Sequence, residues 1–335
     1  TMSLPPVEIP LGAMRFNSDS QKLEYWNGSV WFQVHTFSPN LDGGARGLHM
    51  AGANPSNNVE FVTIPTTGNA QDFGDLITER YLNGGCSSKI RALTFGGNTP
   101  SVLNSIEFHE FSSTGNFNDF GDMVSAKRNL HGGGNNTRGL MCGGLTDPSY
   151  KDEIDFVTIA SAGDAVDFGN LTQARLDAET ASNGSRMVIY GGSAPTTTNV
   201  MDFVTIASTG NAQDFGDVSG GLQNGRAASG DSSTRGVFMG GRYSPSPSHT
   251  SDIQFITIAS GGNSAKFGDL ITSKKFATGT SSKTRALCIG GATPTALTDI
   301  EYVTIATEGG ATDFGDLLNA RYSGAAASND HGGLG

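Results

Sequence analysis

Little of this chain is charged, and less of it is positive. Asp and Glu number 32 against 21 Lys and Arg, for a net charge of −11. With no basic run there is little to neutralise phosphates, so no nucleic-acid partner is expected. Cysteine is scarce too: Cys86, Cys142 and Cys288 form an odd set with no metal-ligand spacing. The fold is therefore expected to do without disulfides, its thiols serving as small buried hydrophobes in a reducing cytoplasm. No apolar stretch is long enough to span a bilayer, so no membrane insertion is expected. Residues 1–10 lack both a basic and an apolar leader region, and no cleavable signal is expected. The six histidines share no metal-like spacing, and no nucleophile motif or phosphate-cradling loop occurs. Neither a cofactor nor catalytic residues are expected.

Glycine is abundant, at 47 residues, without a collagen-like period. It marks a repeat. Phe-Gly-Asp recurs at Phe73, Phe120, Phe168 (with Asn170 for Asp), Phe215, Phe267 and Phe314, at spacings of 47, 48, 47, 52 and 47 residues. An apolar run ends in Gly-Gly at Gly97, Gly144, Gly192, Gly241 and Gly291, with Ala51-Gly52 as a weaker version. An arginine precedes each run: Arg46, Arg91, Arg138, Arg186, Arg235 and Arg285.

Each unit reads as four short strands. The first resembles residues 321–328, and the second runs into Gly-Gly. The third is β-branched and aromatic, as in residues 59–64 and 154–159. A Gly-Asn-type turn follows, suited to positive φ. The fourth strand carries Phe-Gly-Asp. The third strand is apolar on both faces apart from one acidic position, which fits a sheet stacked between two others. Four strands in about 48 residues indicate a propeller blade. The sequence thus predicts an all-β chain with a six-bladed propeller over residues 45–335. Residues 321–328 would supply the strand that completes blade one.

The order arginine, apolar run, Gly-Gly, variable loop, Ile-Glu-Phe-Val-type strand and later aromatic resembles the kelch repeat over residues 45–335. Phe of Phe-Gly-Asp stands where kelch repeats usually carry Trp. Kelch propellers that are copper-radical oxidases use a Tyr, a Cys and paired His ligands, and that set cannot be assembled here. Nor do the arginines, one per blade, suggest the clustered rim of sialidase-like propellers.

Residues 1–44 fall outside the repeat and read as a β-hairpin attachment segment, with turns at residues 17–20 and at Asn27-Gly28. Both tryptophans, Trp26 and Trp31, fall here beside Phe32, so these three are the candidate attachment residues. The Arg15-Phe16-Asn17-Ser18 and Glu24-Tyr25-x-Asn27-Gly28-Ser29-x-Trp31 turns resemble a module of tail fibres and other virion proteins of tailed bacteriophages. The Phe-Val-Thr-Ile-Ala-Ser-Thr-Gly-Asn-Ala-Gln-Asp-Phe-Gly-Asp unit is similar to repeats in marine phage structural proteins, those of cyanophages in particular. The resemblance implies a virion protein assembled in the host cytoplasm. Residues 1–44 would hold it to other virion proteins in a symmetric assembly.

The repeated Asp72/Asp75-type pairs pose two readings: a metal or ligand site, or a structural Arg–Asp or turn-capping contact made once per blade. Repetition favours the structural one. His109 breaks the third-strand pattern as a local polar contact or part of a site. Variation after Gly-Gly is more informative, because insertions on one face of a repeat protein often mark the binding face. Tyr150, Arg242, Tyr243 and His249 are the candidate contacts there, with a host-surface glycan or receptor as partner. A carbohydrate-binding or carbohydrate-active propeller is the alternative.

Overall fold

The computed structural model describes residues 9–17, 22–33, 45–194, 198–219, 227–242 and 249–335. The chain divides into two compact units, Thr1–Leu41 and Asp42–Gly335. The first holds a three-stranded antiparallel meander of Met14–Asn17, Lys22–Trp26 and Trp31–Gln33, one strand more than a hairpin. Its second turn is made by Asn27, whose Oδ1 accepts from the amides of Ser29 (2.9 Å) and Val30 (2.8 Å).

Among its described residues the second unit holds six four-stranded antiparallel sheets. Sheet 2 is representative: Gly84–Ser87, Arg91–Phe95, Ser105–Glu110 and Asn118–Asp122 pair in sequence order. Sheet 1 differs in origin. Its first strand is Ala325–Ser328, from the other end of the chain, paired with Arg46–Met50, which continues to Ser56–Thr63 and Gln71–Arg80. This strand is shorter than residues 321–328. Arg321 ends the preceding strand Thr312–Arg321, and Ser323 turns the backbone at φ 58°.

Cores lie between successive sheets. One joins Leu48, Val59 and Phe73 of sheet 1 to Ala92 and Phe111 of sheet 2. Another joins Leu287, Ile300 and Phe314 of sheet 6 to Val62 and Ile64 of sheet 1. Third strands are buried on both faces because each is covered on both sides, as in Val59, Glu60 and Val62.

The repeat residues make these junctions. Phe73, Phe120, Phe168, Phe215, Phe267 and Phe314 are all buried, each edge-on to the aromatic of its own third strand at 5.7–6.1 Å. Burying each stabilises the fold by roughly 1.5–3 kcal/mol. The repeated arginine covers the other side of that aromatic, as Arg186 does over Phe203 at 4.4 Å. It then donates to carbonyls at the end of the next sheet's third strand. Arg138 reaches the oxygen of Ile206 at 2.9 Å, and Arg285 of sheet 6 reaches that of Ile64 in sheet 1 at 3.1 Å. Among the described residues the repeated arginine makes no ion pair with an aspartate: in place of the expected Arg–Asp contact it binds carbonyls and an aromatic ring.

The glycine of Phe-Gly-Asp permits the sheets to meet. A Cβ on Gly74 would lie 2.2 Å from the carbonyl oxygen of Gly115 in sheet 2. Asn116, the next turn residue, caps the Asp75 amide at 3.1 Å. Both residues of Gly-Gly take positive φ, as Gly96 (60°) and Gly97 (101°) do, turning the chain sharply after the second strand.

A second set of ties crosses the junctions. Arg80, Lys127, Arg175, Lys274 and Arg321 pair with Glu107, Asp155, Asp202, Glu301 and Glu60, the acidic positions of the next sheets' third strands. Between sheets 4 and 5 the acid is replaced by Gln254, whose Oε1 accepts from the Tyr190 hydroxyl at 3.2 Å.

Candidate binding site at the first-strand ends

In each sheet the second strand is antiparallel to the first, so the loops after Gly-Gly leave from the end where the first strand begins. The bridges Tyr81–Asn98, Arg128–Leu145, Leu176–Ser193 and Lys275–Ala292 tie the two kinds of connection together there. The variable loops and the inter-sheet connections therefore share one face.

That face has a concave centre. Leu82, Asn129, Asp177, Phe276 and Ser323, which precede the first strands of sheets 2, 3, 4, 6 and 1, all take left-handed φ of 57–61°. They are linked head to tail: Leu82 donates to Ser323 (2.8 Å), Asn129 to Leu82 (2.8 Å), Asp177 to Asn129 (3.0 Å) and Ser323 to Phe276 (2.9 Å). Left-handed backbone costs a non-glycine residue about 1–2 kcal/mol, and these chained hydrogen bonds offset it.

On the outer side of this ring lies a bowl of about 390 Å³, walled by Tyr81, Leu176, Tyr322, Arg128 and Arg242. Phe276 and Tyr322 stack at 6.1 Å, and Asp147 holds Arg128 through two hydrogen bonds of 2.6 and 2.7 Å. On its inner side lies a smaller chamber between the first strands, about 60 Å³. His131, Glu179 and Ser229, from sheets 3, 4 and 5, meet here. Glu179 Oε1 is 3.4 Å from His131 Nδ1, and its Oε2 accepts from Ser229 Oγ at 3.3 Å. Burial pushes the Glu179 carboxyl above the usual carboxylate range, and His131 partly opposes this. Gly332 and Gly333 follow His331 near the other ends of these strands, where Asp231 Oδ1 accepts from the Gly332 amide at 2.8 Å.

Of the residues marked by sequence, Arg242 is exposed and walls the bowl. Tyr150 is half-buried in a two-stranded loop hairpin opposite Leu145. His249 Nε2 is 2.9 Å from Thr293 Oγ1, tying the sheet 5 loop to that of sheet 6. Tyr243 lies outside the described residues. Arg242 alone of the described three is a wall residue of the bowl. The aromatic walls and the chamber cluster were missed in the sequence, where they stand in connections and Gly-rich strands.

In the first unit, Trp26 and Trp31 sit directly opposite each other, half-buried, with rings 5.5 Å apart. Arg15 covers Trp31 at 4.2 Å and pairs with Glu24 at 2.8 Å. Hydrogen bonds from Asn17 and Arg15 hold the Glu24 carboxyl below the usual range. Phe32 points to the opposite face, stacked on Tyr25 at 5.8 Å, where Met14, Phe16 and Leu23 are also exposed.

The expected alternatives for chemistry resolve differently. No group of three or more His, Cys, Asp or Glu among the described residues could hold a metal ion. His109 makes a local contact, its Nδ1 lying 2.8 Å from the carbonyl oxygen of Glu110 and its ring edge-on to Phe73 at 5.2 Å. Cys86, Cys142 and Cys288 are free and buried, with thiols pushed up to about 12 by burial. They carry little thiolate and are poor nucleophiles.

No family model and no curated protein matches the chain. Among solved structures, YjhT matches with a TM-score of 0.65 and 12% identity, over 81% of this chain and 94% of that one. At that identity the likeness concerns the fold alone. The chain has an all-β, β-propeller-like fold of small antiparallel sheets.

Proposed function

We propose that this is a non-enzymatic structural protein of a phage virion. Its six sheets form the blades of a closed, kelch-like propeller that displays the variable loops, and its N-terminal unit attaches it to neighbouring virion proteins. Closure is supported by three contacts between sheets 6 and 1: the shared apolar core, Arg285 on the Ile64 carbonyl, and Gly315 against Gly68. The observation that carries the role is the division of labour in the repeat. Phe, Gly, Asn, Arg and the buried acids serve the junctions between sheets, while sequence variation gathers at one loop face, the pattern of a display scaffold. Trp26, Trp31 and the exposed Tyr25–Phe32 pair support the attachment role.

The test is imaging of purified virions, with a chain lacking residues 1–44 supplied in parallel. A six-bladed disc in the particle, lost on deletion while the isolated propeller stays folded, supports the reading. Absence from the particle overturns it.

A carbohydrate-binding propeller is the second reading. It is favoured by Tyr81, Phe276 and Tyr322 around the bowl, since aromatic faces suit the apolar faces of sugar rings. A glycan-binding and hydrolysis screen tests it.

A further inference from the structure

We propose that the exposed apolar face of the first unit's sheet packs on the same face of a second copy of this chain, forming a twofold dimer. The inference builds on the attachment role proposed for this unit and names what covers one of its faces.

The two faces of the sheet differ. On one, Trp26 and Trp31 pack on each other, and Arg15 covers Trp31 while pairing with Glu24, which is only 5% exposed. That face supplies its own cover. The composition of the other follows from strand alternation and register. Met14, Tyr25 and Phe32 lie in one row across the three strands, with Phe16 and Leu23 in the next. All five are apolar or aromatic, and all are 37–65% exposed. A sheet that is apolar on one face needs a second layer to bury it, and the described residues of this unit hold only the one sheet. Units of this scale are stabilised by disulfides, a metal or oligomerisation. This unit has no cysteine, and no group able to hold a metal occurs among the described residues. A protein partner remains.

Charge, shape and area select a copy of the same chain. The protein carries a net charge of −11, which opposes the approach of two copies, but the five side chains of this face carry no charge. A face that is apolar throughout is complementary to itself. A three-stranded sheet laid on its equivalent, about 10 Å away, is covered strand for strand. Side chains of this kind have about 150–250 Å² each to bury, and roughly half of that is exposed here, so each copy contributes roughly 500 Å². Two copies then bury roughly 1,000 Å², the area that a specific interface must clear. The dimer is therefore weak and concentration-dependent.

Sedimentation of the full chain over a range of concentrations is the test. Wild type is expected to pass from monomer to dimer as concentration rises. Phe16→Lys puts a charge into the patch and is expected to weaken association by roughly tenfold or more. Ile77→Lys places the same charge on a similarly exposed apolar side chain of the second unit and is expected to leave the dimer unchanged. Trp26 and Trp31 are the protein's two tryptophans and lie on the other face, so their fluorescence reports whether the sheet persists in the variant. Should Phe16→Lys lose the sheet, Phe16→Thr, which keeps strand preference, replaces it, with weakened association again expected. A wild type that is monomeric at every concentration overturns the proposal. So does a trimer, a dimer that survives in the folded Phe16 variant, or one that Ile77→Lys disrupts equally. A monomer that still needs residues 1–44 to enter the particle would sink the dimer and leave the attachment role standing, whereas a dimer absent from the particle would do the reverse.

Discussion

Arg175 and Asp202 meet at 3.0 Å with neither side chain exposed to solvent. They join sheet 3 to sheet 4, and Thr172 donates from its hydroxyl to Asp202 Oδ1 at 2.6 Å. Removing one buried charge leaves the other uncompensated, whereas removing both leaves an apolar gap that packing can fill. Arg175→Met is therefore expected to destabilise the protein by about 3–5 kcal/mol. The double variant Arg175→Met/Asp202→Leu should recover much of that loss. Denaturant unfolding of the four proteins of this cycle provides the check. A double variant no more stable than the single one would show that the pair stabilises through its own geometry, not merely by mutual compensation.

Glycine at the junctions makes a second, steric prediction. Gly74 takes φ 144° and faces the backbone of the next sheet, whereas Gly184 has nothing within 4 Å of an added Cβ. Gly74→Ala forces either strained backbone, costing about 1–3 kcal/mol, or separation of the two sheets. Gly184→Ala, on an exposed turn, is expected to change stability by about 0.5 kcal/mol or less. Matched melting temperatures of the two variants would refute the close approach.

The junctions were partly legible in the sequence. Phe73 and its equivalents announced themselves because one apolar ring must fill the same space six times. The arginine was legible in position, but its partners were not: a carbonyl at the end of a distant strand leaves no residue-type signature. The buried ion pairs were overlooked although a signal existed. A Lys or Arg stands seven positions after Phe in five repeats; in the fourth repeat Leu222 replaces it, and in the next repeat Gln254 replaces the acid. Cation and acid are lost together, as a buried pair requires. The chamber gave no such signal. His131, Glu179 and Ser229 occupy first strands, where close neighbours select small residues and each departure from glycine looks local.

His49 makes the last prediction. It sits in the second strand of sheet 1, opposite Glu60, only 2% exposed, and neither ring nitrogen has a hydrogen-bond partner. Burial depresses its pKa to about 3, and the Arg321 charge adds to the effect. In the unfolded chain the ring has the ordinary value near 6.5. Between those values the unfolded state binds a proton that the folded state does not. The stability is therefore complete above pH 6.5 and is lost as pH falls toward 3, by up to about 1.4 kcal/mol per pH unit. Glu60, Glu107 and Asp155, whose carboxyls are pushed up by burial, act in the opposite sense, so wild type alone does not isolate the histidine. The comparison with His49→Met does, since Met141 fills the corresponding position opposite Asp155 in sheet 3. The difference in unfolding free energy between variant and wild type is expected to be flat above pH 6.5. Below it the difference should grow steadily in favour of the methionine. A difference constant from pH 8 to 4 would mean that His49 reaches solvent or a partner when protonated.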